Sequence, residues 1–273
     1  MIRLFVCDID GCLAEPYQPF DLTGLAELAD AADAAGGIGD DNGRPAVSIC
    51  SGRAYAYVEA MTQALGLTAP VLFESGGGLF DPAAARTHWH PAFTYAFAEQ
   101  LGRVKQWMQS DLLPGTTMSF DHGKRIQVGV VGPQEQEIVE ATPAVRRFVE
   151  EHAPDLRIFA TAISIDVLPP GITKKQGLAW LAERTDLSLA EIAYIGDSGG
   201  DIEALGSVGL PLAPANADEA VRAAVRDASG IVTEGRVLGG TLEGYRRCVE
   251  RNRNLAEREQ LAEREQAKEA PAA

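Results

Sequence analysis

Residues able to do chemistry stand at four places in the chain: Asp8-Ile9-Asp10-Gly11, Ser51-Gly52-Arg53, Lys174 in Gly171-Ile172-Thr173-Lys174, and Gly196-Asp197-Ser198-Gly199-Gly200-Asp201. The first, second and fourth each follow a short apolar run. Two aspartates where a buried strand stops can emerge at the carboxyl edge of a parallel sheet, the usual ligand position in open α/β folds. Gly11 then allows a tight turn behind them. At Ser51-Gly52-Arg53 a hydroxyl and backbone amides are placed to bind phosphoryl oxygens. Asp197 and Asp201 add two more acids, four residues apart. Each segment also has a purely structural reading: a turn device for the first, a helix cap for Ser51, a solvated charge for Lys174 and a dipole-favoured first-turn acid for Asp201. Their order and shared placement at strand ends favour a joint function over four coincidences.

The elements that must position these residues are strand-to-helix units. Residues 2–9, 45–51, 70–74, 191–196 and 208–213 read as buried strands, and 21–35, 53–66, 174–186 and 216–228 carry Ala, Leu and charged residues at helical spacing. This pattern predicts a Rossmann-like parallel-sheet core of the α/β class. Residues 81–168 read differently. A long helix at 92–113, a hairpin around Asp121-His122-Gly123-Lys124, a second helix near 134–152 and two further strands supply a small sheet covered by helices, an inserted α+β cap. The expected division is therefore a core of residues 1–80 and 169–250, a cap of 81–168, and a tail of 251–273. The tail holds LAEREQ twice in succession and reads as a charged helix fraying into disorder, with a short interhelical contact as the alternative.

Composition excludes several partners. With 273 residues, 46% of them apolar, the chain can bury a sizeable core. A formal charge of −15 argues against nucleic acid and anionic membranes, both of which need basic footprints. The first residues lack a secretory cleavage site and no apolar run approaches about 18 residues, so a cytoplasmic protein is expected. Cys7, Cys12, Cys50 and Cys248 have no metal-ligand spacing and read as buried free thiols.

The four segments, as DIDG, CSGR, ITKK and GDSGGD, resemble in order the four motifs of the haloacid dehalogenase-like superfamily. The likeness runs to about residue 245 and is greatest to the Cof-type and sugar-phosphatase branch, whose α/β cap is inserted before the motif lysine. The resemblance implies Asp8 as nucleophile and Asp10 as general acid and base. It implies Ser51, Gly52 and Lys174 as phosphate ligands, and Asp8, Asp10 and Asp197 around magnesium with Asp201 supporting them. Two departures stand out, Cys12 where relatives often have Thr and Gly200 where they often have Asn. The chemistry is coherent: converging carboxylates repel by about 4 kcal/mol per pair at 4 Å, and a hard cation that accepts only oxygen ligands relieves this. The implied activity is hydrolysis of a small phosphate monoester, a sugar phosphate or a phosphorylated organic acid. A phosphomutase and a non-catalytic phosphometabolite-binding protein are the alternatives. Arg53, His122, Lys124 and Arg125 are the candidates for reading the leaving group, against the plainer reading of the hairpin tip as a solvated turn. Nothing in the motifs bears on oligomeric state.

Overall fold

The computed structural model describes residues 1–40 and 42–269. Along the chain run β1 (Leu4–Cys7), α1 (Leu22–Ala35), β2 (Ala46–Ile49), α2 (Tyr55–Ala64), β3 (Val71–Phe73), β4 (Gly78–Asp81), β5 (Arg86–Trp89) and α3 (Tyr95–Trp107). They are followed by β6 (Ser119–Phe120), β7 (Val128–Val131), α4 (Glu135–His152), β8 (Arg157–Ala160), β9 (Ser164–Leu168) and α5 (Lys174–Arg184). The last are β10 (Ile192–Ile195), α6 (Ile202–Leu205), β11 (Leu210–Ala213), α7 (Glu219–Asp227), β12 (Ile231–Val232) and α8 (Val237–Glu269). The chain divides into two compact units: Met1–Ile49, Thr62–Pro70 and Ala182 onward, and Cys50–Met61 with Val71–Leu181.

The first unit is built on a five-stranded sheet of order β12-β11-β10-β1-β2, with all pairs parallel. Every residue of β1, β2, β10 and β11 is buried, which is why these strands read as continuous apolar runs and not as alternating ones. The chain leaves β1 toward β2 on one side, while β10 closes the other. The carboxyl ends of β1 and β10 therefore flank the switch point at which open α/β sheets bind ligands. Helix α1 starts where the Asp21 carboxylate accepts from the Gly24 N–H and stops at Gly36, whose φ of +69° allows its N–H to return to Ala32. Helix α8 buries Leu238, Leu242, Tyr245 and Cys248 at helical spacing, with Tyr245 edge-on to Phe5 at 5.4 Å. It continues through both LAEREQ copies as helix to Glu269, and residues 270–273 of the expected tail lie outside the described residues. Asn252, in the stretch read as tail, is buried, and its amide accepts from Ile2 N–H at 2.8 Å and donates to the Ile2 and Gly43 carbonyls.

In the second unit, β3, β4 and β5 form an antiparallel sheet, and β6-β7-β9-β8 a second one. Helices α3 and α4 pack on the four-stranded sheet, where Leu101 and Val104 of α3 and Ile138, Val145 and Val149 of α4 meet Val128, Val130, Ile165 and Val167. Each such buried side chain contributes roughly 1.5–3 kcal/mol. Strand alternation then puts Gly129 and Asp166, paired in register, on the other face. The helix expected at 92–113 runs as an α-helix from Tyr95 to Trp107 and on as a π turn over Met108–Leu112. The run at 70–74 is a buried strand but pairs antiparallel with β4, touching Cys50 through one parallel bridge, while β12, too short to stand out in the sequence, completes the five-stranded sheet. The class is as expected: α/β with a Rossmann-like parallel sheet and added antiparallel sheets.

Candidate active site

In the first unit, Asp8 follows the buried strand β1, and its N–H continues the ladder to the Ile195 carbonyl at 3.1 Å. Asp8 is only 5% exposed, and its carboxylate accepts from the Ile9 N–H at 2.7 Å. The Ile9 carbonyl accepts from the N–H groups of Cys12, Leu13 and Ala14, which winds the chain into a tight turn with Gly11 at φ +72°. Two distant side chains clamp this turn: Asn216 donates to the Gly11 carbonyl at 2.9 Å and Thr241 to the Cys12 carbonyl at 2.7 Å.

Asp197 stands past the end of β10, beyond Gly196. Its loop is organised by the fully buried Asp201, whose Oδ2 accepts from the Asp197 N–H (3.1 Å), the Ser198 N–H (3.0 Å) and the Ser198 hydroxyl (3.1 Å). The Tyr194 hydroxyl donates to its Oδ1 at 2.5 Å. One oxygen from each of Asp8, Asp197 and Asp201 lies within 4.8 Å of the others. If all three are ionised, each pair repels by about 3.5 kcal/mol at that separation and an effective dielectric near 20. Octahedral magnesium holds ligand oxygens at about 2.1 Å, so up to roughly 4.2 Å apart, and it takes oxygen alone. The donor set, oxygen alone, is one that could hold such a divalent cation. Asp10 is outside this trio; it is half-buried and its backbone bridges to Ala14.

In the second unit, Ser51 is fully buried, and Ser51-Gly52-Arg53 is braced by the turn at Glu74–Gly76. Glu74 N–H donates to the Arg53 carbonyl and Ser75 N–H to the Ser51 carbonyl, both at 2.9 Å, while Ser51 Oγ accepts from Arg53 N–H at 3.3 Å. The Arg53 guanidinium lies over the Tyr57 ring at 5.0 Å. Lys174 is buried at the start of α5, behind Thr173, whose hydroxyl accepts from the Gln176 N–H at 3.3 Å as a cap.

The matches to known proteins agree with this geometry. A family profile described as haloacid dehalogenase-like hydrolase fits residues 134–235. Over nearly the whole chain, the phosphoglycolate phosphatase of Natronomonas pharaonis is 27% identical across 249 residues, 90% of this chain and 98% of that protein. The chain resembles the haloacid dehalogenase-like hydrolases. Solved structures share the fold of this hydrolase: a Thermoplasma acidophilum protein at a TM-score of 0.71 and 22% identity, covering 91% of this chain and 98% of that one. The sucrose-phosphatase of Synechocystis, at a TM-score of 0.62 and 16% identity, covers 91% and 98%.

The two departures from the family pattern have local explanations. The Cys12 thiol points at the Ile195 carbonyl, 3.8 Å away, inside the core, and only its backbone carbonyl holds the Thr241 clamp. The loop at Gly200 is ordered by Asp201, which takes its donors from residues 197 and 198. All four cysteines are buried and free, and burial pushes the Cys248 thiol up to about 12 and the Cys7 thiol higher still, with Asp8 adding to the latter.

At the hairpin tip His122 and Arg125 are exposed, with Arg125 stacked over Trp89 at 4.8 Å. Lys124 is not. That side chain is 6% exposed and bonds Asp121 at 2.8 Å and Asp166 at 2.7 Å. Burial alone would lower its ammonium, but Asp166 and Asp121 outweigh this and hold it above its ordinary value. Gly129 makes room for the pair, since a Cβ there would lie 2.2 Å from Asp166 Oδ1. Sequence reading missed Glu74 altogether. A glutamate between the apolar strand Val71–Phe73 and the run Gly76-Gly77-Gly78 carries no motif, and its partners Arg125–Gln127 are some fifty residues away.

Proposed function

We propose that this hydrolase is a magnesium-dependent, cytoplasmic phosphatase of a small phosphorylated metabolite, acting through an aspartyl-phosphate on Asp8. It is a phosphoric monoester hydrolase by family, and the full-length relative named above is a phosphatase. The observation that carries the reading is the meeting of Asp8, Asp197 and Asp201 oxygens within 4.8 Å at the switch point of a parallel sheet.

In this reading an Asp8 oxygen forms a bond to phosphorus as the ester bond breaks, and Asp10 gives a proton to the departing oxygen. Asp10 then takes a proton from water, whose oxygen displaces Asp8 and releases inorganic phosphate. Ser51, the Gly52 amide and Lys174 hold the phosphoryl oxygens. The Asp8, Asp197 and Asp201 carboxylates would hold magnesium, which would offset the negative charge of these carboxylates and of the phosphoryl group, and Asp10 would serve in proton transfer. Burial of Asp8 keeps its oxygens poorly hydrated and its direction set by the Ile9 N–H.

Residues 1–80 and 169–250 form the core of the enzyme and 81–168 its cap, with Arg53, His122, Lys124 and Arg125 reading the leaving group. Arg125 and His122 do so directly, and Lys124 by shaping the tip through Asp121 and Asp166. The net charge of −15 sets nucleic acid and membranes aside as partners. No described helix is long and apolar enough to cross a membrane. A phosphorylated short organic acid is the first substrate to test, given that relative's name, ahead of sugar phosphates. The deciding experiment is a phosphate-release screen over phosphorylated metabolites with magnesium. Release from none of them, or hexose-phosphate isomerisation without release, would overturn the reading in favour of a binding protein or a phosphomutase.

A further inference from the structure

The turn Glu74–Gly76 is expensive backbone. Three successive residues have positive φ, +48° at Glu74, +57° at Ser75 and +87° at Gly76. For the two that are not glycine such conformations cost of order 1–3 kcal/mol each and persist where the surroundings over-determine them. What over-determines this turn is an unusual set of contacts. The Glu74 side chain is fully buried, and its carboxylate accepts from three consecutive backbone N–H groups: Arg125 (2.9 Å to each oxygen), Ile126 (2.7 Å) and Gln127 (3.2 Å). Burial pushes this carboxyl up, and the three N–H donors with Lys124 oppose that.

The same few residues touch both phosphate-side segments of the second unit. The backbone of Glu74 and Ser75 holds Ser51 and Arg53, as described above. Gly76 lies so close to Gly177 of α5, the helix opened by Lys174, that a Cβ on either would come 2.6 Å from the other's Cα. Only a glycine pair permits that approach. One strained turn therefore seats the Ser51 loop, the Lys174 helix and the segment that follows the hairpin tip.

We propose that Glu74 is a positioning residue that couples the leaving-group reader to the phosphate subsite. Its carboxylate fixes the backbone at Arg125–Gln127 while its own N–H holds the Arg53 carbonyl and the next one, of Ser75, holds that of Ser51, so occupancy of one segment tightens the other. The inference rests on the reading of Ser51 and Lys174 as phosphate ligands. A merely structural glutamate would stabilise the fold without linking the two.

Two measurements test it. In the wild-type enzyme with magnesium, saturating inorganic phosphate should slow amide hydrogen exchange at Ile126 and Gln127 by fivefold or more, although neither amide is a phosphate ligand. Unchanged exchange at both would overturn the coupling. In the second measurement Arg125→Ala is made in wild-type and Glu74→Gln backgrounds and assayed on the best substrate of the screen. A tenfold loss in kcat/KM in the wild type should shrink to threefold or less beside Glu74→Gln, and the inhibition constant for phosphate should rise at least tenfold in Glu74→Gln itself. Independent losses, or an unmoved inhibition constant, would refute the proposal while leaving hydrolysis by Asp8 standing. An enzyme whose wild type releases no phosphate but whose Ile126 and Gln127 amides still respond to phosphate would do the reverse.

Discussion

Replacing Gly11 by alanine tests the acid cluster with a single methyl group. At φ +72° an alanine is strained by roughly 1–2 kcal/mol. The larger effect is steric: the new Cβ would stand 1.9 Å from Asp197 Oδ2 and 2.3 Å from its Cγ. A tolerable contact of about 3.4 Å needs a retreat of roughly 1.5 Å. The turn cannot back away, because Asn216 and Thr241 clamp it, and the Asp197 backbone is held through its carbonyl by the Asp218 N–H at 2.9 Å. The Asp197 side chain must therefore swing out of reach of Asp8 and Asp201. Misplacing a catalytic group by about 1 Å costs on the order of a hundredfold, near 2.7 kcal/mol. Gly11→Ala should accordingly lower kcat/KM by at least about a hundredfold and raise the magnesium concentration for half-maximal rate, while costing only about 1–2 kcal/mol of stability. Phosphate release over a magnesium titration, beside thermal denaturation, reads all three. Activity within fivefold of wild type at unchanged magnesium dependence would refute the reasoning, because the methyl group would then have displaced nothing that matters.

Asp8→Asn should abolish turnover with the fold intact by circular dichroism, since an amide forms no aspartyl-phosphate; more than about one per cent residual rate in pure protein would count against the nucleophile. Asn252→Ala should cost about 2–3 kcal/mol in urea denaturation by stripping two buried hydrogen bonds from Ile2 and a half-buried one from Gly43, whereas truncation after Asn254 should leave kcat/KM within twofold. The Lys124 ammonium is held above its ordinary value, so its pairing stabilises the fold fully below the ordinary lysine pKa of about 10.4 and is lost as pH rises through the higher folded value. The stability gap between wild type and Lys124→Met should therefore be constant from pH 7 to about 9 and narrow above about 10.5; a gap that widens there would show that the two aspartates do not hold the charge.

The chain itself declared what depends on neighbours in sequence. A run of buried apolar residues must become a strand, and an aspartate where the run stops must surface at the strand's end, so Asp8 and Asp197 could be placed from β1 and β10 alone. Helix α4 was legible for the same reason, from the repeat of Ile138, Val145 and Val149. The features that tertiary structure alone decided are those whose partners lie far along the chain. The run at 70–74 looks like any buried strand, and only its hydrogen bonds to β4 assign it to an antiparallel sheet. Lys124 in a polar tip reads as solvated until Asp166, forty-two residues on, meets it beside the bare Cα of Gly129. Asn252 sits among charged residues and is buried because Ile2, two hundred and fifty residues away, needs both its donor and its acceptor. Glu74 is the extreme case, where a glutamate in left-handed backbone would be a poor local choice. Its conformation is stable only because three amides from another segment converge on its carboxylate, and no local rule encodes that convergence.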